Sequence, residues 1–316
     1  MIPSIFCKFS VPLFFMIFGA LMLKREPEPL SKLWSKRILR MMLLLFIWSF
    51  FSYLVEVFWS GTQEFHFKEF VKRFYDSSWN LSYWYLYAYI PMLMTLPLLQ
   101  RFVKNLTDKD FLYMFFLFFV FTALLPVVQY LLWQELHNLN NHLLPSWLCT
   151  NIFIYPCLGY FLQSRFNPDI WNKKRLGLLW FINICTILIS CYMTYFKAKI
   201  TGECSIPTGQ GFHSSFVMVN CVSIFITCKY IIEKIKLPQW VNKLILSMGG
   251  CTFGIYLMHL FFLLNANWVE NLWHIFRNQW HINYMIAALL ICGTVFLSGY
   301  IITLILKKIP ILKNLV

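Results

Sequence analysis

Nine apolar stretches of about 18 to 24 residues punctuate the sequence, near positions 4–23, 39–58, 83–100, 111–132, 147–164, 177–196, 214–232, 244–264 and 283–306. Each is long enough to cross a hydrocarbon core of ~30 Å as a helix. Strands with open edges would leave backbone N–H and C=O groups unsatisfied in lipid, so segments this apolar must be helical. An outer-membrane barrel would show short alternating runs instead. The expected fold is therefore an all-α, polytopic transmembrane helical bundle of about nine spans, with residues 1–316 forming one transmembrane domain. Composition agrees: 59% of residues are hydrophobic, 20% aromatic and only 13% charged, against roughly 25% charged in soluble domains. That excludes a water-soluble enzyme and a disordered binding segment.

The formal net charge is +14. In a soluble chain such an excess points to nucleic acid, but no soluble segment here is long enough to form a basic reading module. The basic residues instead report topology. Loops and tail following spans 1, 3, 5, 7 and 9 hold 20 of the 27 Lys and Arg, and the opposite side holds seven, Lys8, Lys68, Lys72, Arg73, Lys197, Lys199 and Arg277. By the positive-inside rule the N-terminus is expected outside and the C-terminus inside. The resulting basic rim also suits an anionic substrate arriving from the cytoplasm.

Residues 59–82 mix charges with Trp59, Phe65, His66, Phe67, Phe70, Phe74, Tyr75 and Trp79, a pattern that suits a short helix lying in the membrane interface. The segments 134–146, 197–213 and 265–282 are polar and fit either an extracytoplasmic mouth or ordinary connections. The ten cysteines form no C-x-x-C pair and no metal-ligand spacing, so no metal is expected; only Cys204 falls clearly in a loop. GxSxG, HExxH and the phosphate-binding P-loop are all absent, and GQGFHSS at 209–215 lacks the third glycine of a dinucleotide loop. Gly250 and Gly254 have the G-x-x-x-G spacing that lets helix backbones approach closely.

Four patterns carry more information: SVPLFFMIFGALML at 10–23, SKLWSKRILRMMLLLFIW at 31–48, YWYLYAYIPMLMTLPLL at 83–99 and TFGIYLMH at 252–259. In this order and spacing they resemble acyltransferase family 3, bacterial integral-membrane proteins that O-acylate carbohydrates of the cell envelope. The resemblance runs from the first residue to about 306. It implies acyl-CoA, usually acetyl-CoA, as donor, a surface or lipid-linked glycan as acceptor, and the bacterial inner membrane as location.

Carried onto this sequence, the resemblance places the family's R-x-x-R pair at Arg37 and Arg40, where guanidinium forks suit the diphosphate and 3′-phosphate of CoA. Basic residues flank most helices on that side, so a topological role accounts for the pair as well. Trp84 and Tyr85 are candidates for the acceptor side, although aromatic belts ordinarily occupy such a position. Thr252, Tyr256 and His259 share one face of the eighth span. Tyr256 and His259 are substrate-binding candidates, because an ionisable residue inside a span is costly and is a functional candidate by default; a satisfied structural histidine is the bland counterpart. Glu56, Gln129, Asn183 and Asn220 are the other polar groups within spans, and Glu56 lies close enough to the outer end to reach water.

The family has ten core helices with both ends in the cytoplasm, and its first helix carries an R-x10-H pattern whose His is regarded as the catalytic base. Nine spans with an outward N-terminus are what remains when that helix is deleted, and no His or Arg in residues 1–20 fills the role. The catalytic residue is thus unassigned, with His259 a candidate. Two alternatives follow: an inactive truncated member of the family, or a transporter or flippase for a polyprenyl-linked glycan. Transporters tend to repeat broken helices in matching positions, whereas Pro12, Pro91, Pro97, Pro126 and Pro156 recur with no period. Membrane lipids are expected partners, nucleic acid is not, and a homo-oligomer is left open.

Overall fold

The computed structural model describes residues 5–58, 64–133, 145–167, 169–202, 216–265, 267–310 and 312–314. Of the described residues 85% are helical and none is in a strand. In chain order the helices are α1 (Ser10–Met22), α2 (Leu30–Phe58), α3 (Phe67–Asp76), α4 (Trp84–Asn105), α5 (Asp108–Trp133), α6 (Asn151–Arg165), α7 (Lys173–Thr201), α8 (Val217–Lys234), α9 (Gln239–Asn265), α10 (Asn267–His274) and α11 (Tyr284–Leu306). A helix lies in each of the nine apolar stretches.

Six of these helices, α2, α4, α5, α7, α9 and α11, are long and apolar enough to cross a membrane. The other three fall short for identifiable reasons. Thr150 is extended and residues 145–149 form a turn, so α6 begins at Asn151 and has 15 residues, about 22 Å at 1.5 Å per residue. Helix α8 carries Lys229, Glu233 and Lys234 in its last turns. Helix α1, with the 3₁₀ turn Cys7–Phe9 leading into it, forms a shorter apolar helix.

Helix α11 shows why lipid, rather than water, surrounds these elements. Its buried seam is Ala287, Ile291, Val295, Gly299 and Thr303, one residue per i+4 step. The opposite face carries Ile286, Leu289, Leu297, Ile301 and Ile305, all at least half exposed. A helix on the surface of a soluble protein would place charges there. Apolar residues on both faces of a 23-residue helix fit hydrocarbon outside and protein inside.

The chain divides into two compact units. Unit 1 is Met1–Glu28 with Thr95–Lys236, and unit 2 is Pro29–Met94 with Leu237–Val316; the division falls within α4. In unit 1, α1 and α6 pack backbone against backbone. A Cβ on Gly19 would lie 1.9 Å from the Pro156 carbonyl oxygen, and one on Gly159 would lie 1.9 Å from the Met16 carbonyl oxygen. Only glycine admits so close an approach. Helix α7 is longer than its apolar stretch and buries Asn183, Thr186, Ser190 and Thr194. The three hydroxyls donate to backbone carbonyls of their own helix at 2.7–2.9 Å.

In unit 2, α9 and α11 meet where the expected glycine spacing lies. Gly254 faces Thr303, and a Cβ there would be 2.5 Å from its hydroxyl oxygen. Within the aromatic-rich segment, residues Phe67–Asp76 form α3, whose Phe70 is fully buried with Tyr53 and Trp79, ring centroids lying 4.9–5.5 Å apart. Arg73 of α3 stacks 4.1 Å over the Trp79 ring and donates to Glu56 at 3.2 Å. Glu56, near the C-terminal end of α2, therefore has a protein partner. Trp59, Cys204, 134–144 and the 209–215 motif lie outside the described residues.

Candidate functional site

The candidate site residues Arg37, Arg40, Trp84, Tyr85, Tyr256 and His259 all belong to unit 2. They come from three elements. The first turns of α2 supply the arginines, the first turns of α4 supply Trp84 and Tyr85, and the middle of α9 supplies Tyr256 and His259.

The arginine pair is not presented as an ordinary α-helix would present it. Residues Leu33–Ile38 are π-helical, with a wider turn closed by i→i+5 bonds, a feature that often marks functional positions. Arg37 lies inside this stretch and Arg40 just beyond it. Arg37 is half-buried, whereas Arg40 is exposed. The two guanidinium groups thus occupy different surroundings despite their i, i+3 spacing.

From Tyr89 a file of aromatic rings continues along the unit. Tyr89 and Tyr85 are successive on one face of α4, with centroids 6.0 Å apart. Tyr85 meets Tyr256 edge to face at 5.8 Å, and Tyr256 lies 5.9 Å from the His259 ring. Trp84 flanks the file, perpendicular to Tyr85 at 6.3 Å. Tyr85, Tyr256 and His259 are all half-buried, as suits a polar lining rather than a packed core.

The start of α4 is tied to α9 by two reciprocal hydrogen bonds. Tyr83 donates its hydroxyl to the Leu257 carbonyl at 3.2 Å, and Tyr256 donates its hydroxyl to the Ser82 carbonyl. Tyr83 is also 3.3 Å from the Ser52 hydroxyl of α2. Asn80 holds Ser82 in turn, accepting from its backbone N–H at 3.0 Å and from its hydroxyl at 2.9 Å. The His259 Nδ1 lies 2.6 Å from the Tyr256 carbonyl. Thr252 does not join this group; it is exposed and donates to the Met248 carbonyl at 3.2 Å.

Tyr83, Ser82 and Tyr89 were not singled out in the sequence. Tyr89 was within reach, because the i, i+4 repeat of tyrosines at 85 and 89 is visible in YWYLYAY. Tyr83 and Ser82 were not, since each of these bonds runs from a phenol to a backbone carbonyl 174 residues away.

The arrangement joins a half-buried cation, a file of phenols and a half-buried imidazole within one unit. Chemically it can bind an anionic group at one end and hold hydroxyl-bearing or amide-bearing ligands along its length. Comparison with known proteins gives the chemistry a class. A family model described as an acyltransferase domain matches residues 1–304. No curated protein and no solved structure matches the chain. With that match over nearly its whole length, the chain belongs to this acyltransferase family as a multi-pass, all-helical membrane protein.

Proposed function

We propose that the protein moves an acetyl or similarly short acyl group from cytoplasmic acyl-CoA to a hydroxyl of a cell-surface or lipid-linked polysaccharide, working in the bacterial inner membrane. The observation that carries this reading is the file of rings Tyr89, Tyr85, Tyr256 and His259, which lies in the same unit as the arginine pair of an acyltransferase-family chain. Arg37 and Arg40 hold the CoA phosphates. Trp84, Tyr85, Tyr256 and His259 shape the acceptor side, where aromatic faces suit sugar rings and polar tips suit hydroxyls.

The topology that serves this reaction has nine spans, with α1, α6 and α8 joining the six longer helices, the N-terminus outside and the C-terminus inside. Charge supports it. The side holding the arginine pair carries 20 Lys and Arg against six Asp and Glu, a net +14, and the opposite side sums to zero. A rim of that sign concentrates an anionic donor at the cytoplasmic face.

Inverted vesicles given labelled acetyl-CoA and a lipid-linked glycan test the reading. Arg37→Ala and Arg40→Ala are expected to raise the KM for acetyl-CoA about tenfold or more, the scale of one lost charge-assisted bond. Unchanged kinetics in both variants removes the phosphate assignment. Glycan translocation without label transfer, measured in proteoliposomes, replaces the reading with a flippase.

A further inference from the structure

We infer that a groove formed by α10 and the adjoining ends of α9 and α11 binds a phospholipid whose headgroup carries a primary ammonium. The acyl chain lies on Ala288 and Cys292, and the ammonium meets Glu270.

The groove follows from how α10 docks. Trp268, Val269 and Leu272 of this short helix pack on a buried cluster that includes Phe262 of α9 and Ile291 of α11. Beside that contact lies a cavity of about 430 Å³, within the roughly 300–1,000 Å³ of small-ligand sites. Leu263, Val269 and Trp273 wall it, and α11 contributes Ala288 and Cys292, both exposed. These two small side chains, one i, i+4 step apart, leave a depression in a helix whose lipid-facing surface otherwise carries Ile286, Leu289 and Leu297.

Its depth suits a lipid chain. Trp273 and Tyr284, with ring centroids 5.9 Å apart, mark the headgroup level, where Trp and Tyr gather. Ala288 and Cys292 lie four and eight residues into α11, about 6 and 12 Å from its first residue. The floor of the groove is thus where the upper part of an acyl chain runs.

Charge selects the occupant. Glu270 lines the same groove and is exposed, and among the described residues no ion pair engages its carboxylate. A chain seated in the groove brings its headgroup to that carboxylate, which attracts an ammonium and repels a phosphate that lacks one. A primary ammonium also donates hydrogen bonds to it, as a quaternary one does not. Arg277, on the helical run that continues α10, stacks 3.3 Å over the Tyr284 ring and supplies a cation for the headgroup phosphate. One charge of each sign around the aromatic pair matches a zwitterion better than a polyprenyl diphosphate.

The full-length protein in vesicles of phosphatidylethanolamine and phosphatidylglycerol, with a photoreactive acyl chain on a trace of either lipid, tests this. Cross-links to peptides containing Leu263, Ala288 or Cys292 are expected to favour the ethanolamine lipid about three- to fivefold, the scale of an exposed ion pair. Glu270→Gln, at an exposed position, should level the two lipids, and Ala288→Trp should remove the cross-links by filling the groove. Should Ala288→Trp fail to fold, Cys292→Leu narrows the same groove. Equal cross-linking of both lipids by the unaltered protein overturns the inference, as does a preference that survives Glu270→Gln or appears equally on the lipid-facing residues of α7. Displacement of the ethanolamine lipid by a lower concentration of polyprenyl diphosphate overturns it too, and hands the groove to that lipid.

Discussion

The two units of the molecule join their helices by different means. Unit 1 relies on contact between backbones: Gly19 and Gly159 let α1 and α6 approach until carbonyl oxygens occupy the space a Cβ would need. Its buried hydroxyls on α7 bond to their own helix, although side chains such as Trp180 to Thr227 at 2.9 Å and Gln100 to the Met22 carbonyl at 2.9 Å also bond across elements. Unit 2 joins α4 to α9 through tyrosine hydroxyls that reach carbonyls on the other element. The first kind of joint is dispersion between close surfaces and tolerates no added atom. The second is directional, and it leaves half-buried polar surface beside it. The candidate site lies with the second kind, because a surface built from phenols can serve a ligand and a seam of glycines cannot.

The largest test of this contrast is Gly159→Ala. The added methyl has no room against the Met16 carbonyl, so the helices must part, at a cost of about 1–3 kcal/mol or more. A marked fall in the temperature of unfolding in detergent is expected. The companion Gly177→Ala, where nothing lies within 4 Å of the new atom, should be neutral or slightly stabilising. Equal behaviour of the two variants would break the claim that unit 1 depends on backbone approach.

Next in size are Tyr83→Phe and Tyr256→Phe. Each removes a bond to the other element, Tyr83→Phe the contact with Ser52 as well, and should cost about 0.6–1 kcal/mol per bond lost. Because both bonds hold the same joint, the double variant is expected to lose less than the two single losses added together. Strict additivity would show two independent contacts instead of one fastening.

The smallest effect is reserved for the charged periphery. Lys234 and Asp169 are 2.9 Å apart with side chains 41% and 81% exposed. Asp169→Asn should leave the unfolding temperature unchanged at physiological salt, since exposed pairs are screened and contribute little. A clear drop would mean that unit 1 draws on charge as well as on close packing.

Much of this was legible in the sequence. A helix lies in each of the nine apolar runs, because a long unbroken apolar segment has no other way to satisfy its backbone in lipid. The short helix expected within 59–82 is present as α3, Phe67–Asp76, and the spacing of Gly250 and Gly254 marked the face of α9 that meets α11. The differences have local causes. The extended Thr150 shortens α6, a boundary that hydropathy does not register. The π-helical stretch Leu33–Ile38 accompanies the unequal exposure of Arg37 and Arg40, and a face drawn at 3.6 residues per turn does not anticipate it. The pairing of Glu56 with Arg73 depends on where α3 packs. The fastening of Tyr83 and Tyr256 depends on backbone carbonyls, which exist at every position and so leave no mark in the residue types.

That crossed fastening has a geometric consequence. Each hydroxyl binds the carbonyl next to the other tyrosine, Tyr83 to that of Leu257 and Tyr256 to that of Ser82. A slip of one residue along α9 would shift its contacts by about 1.5 Å and turn them by roughly a quarter of a circle, which would break both bonds at once. The pair therefore sets the height of His259, three residues beyond Tyr256, against the first turn of α4. Bilayer thickness can tilt these helices, and changes in loop length can move their ends, without altering that height.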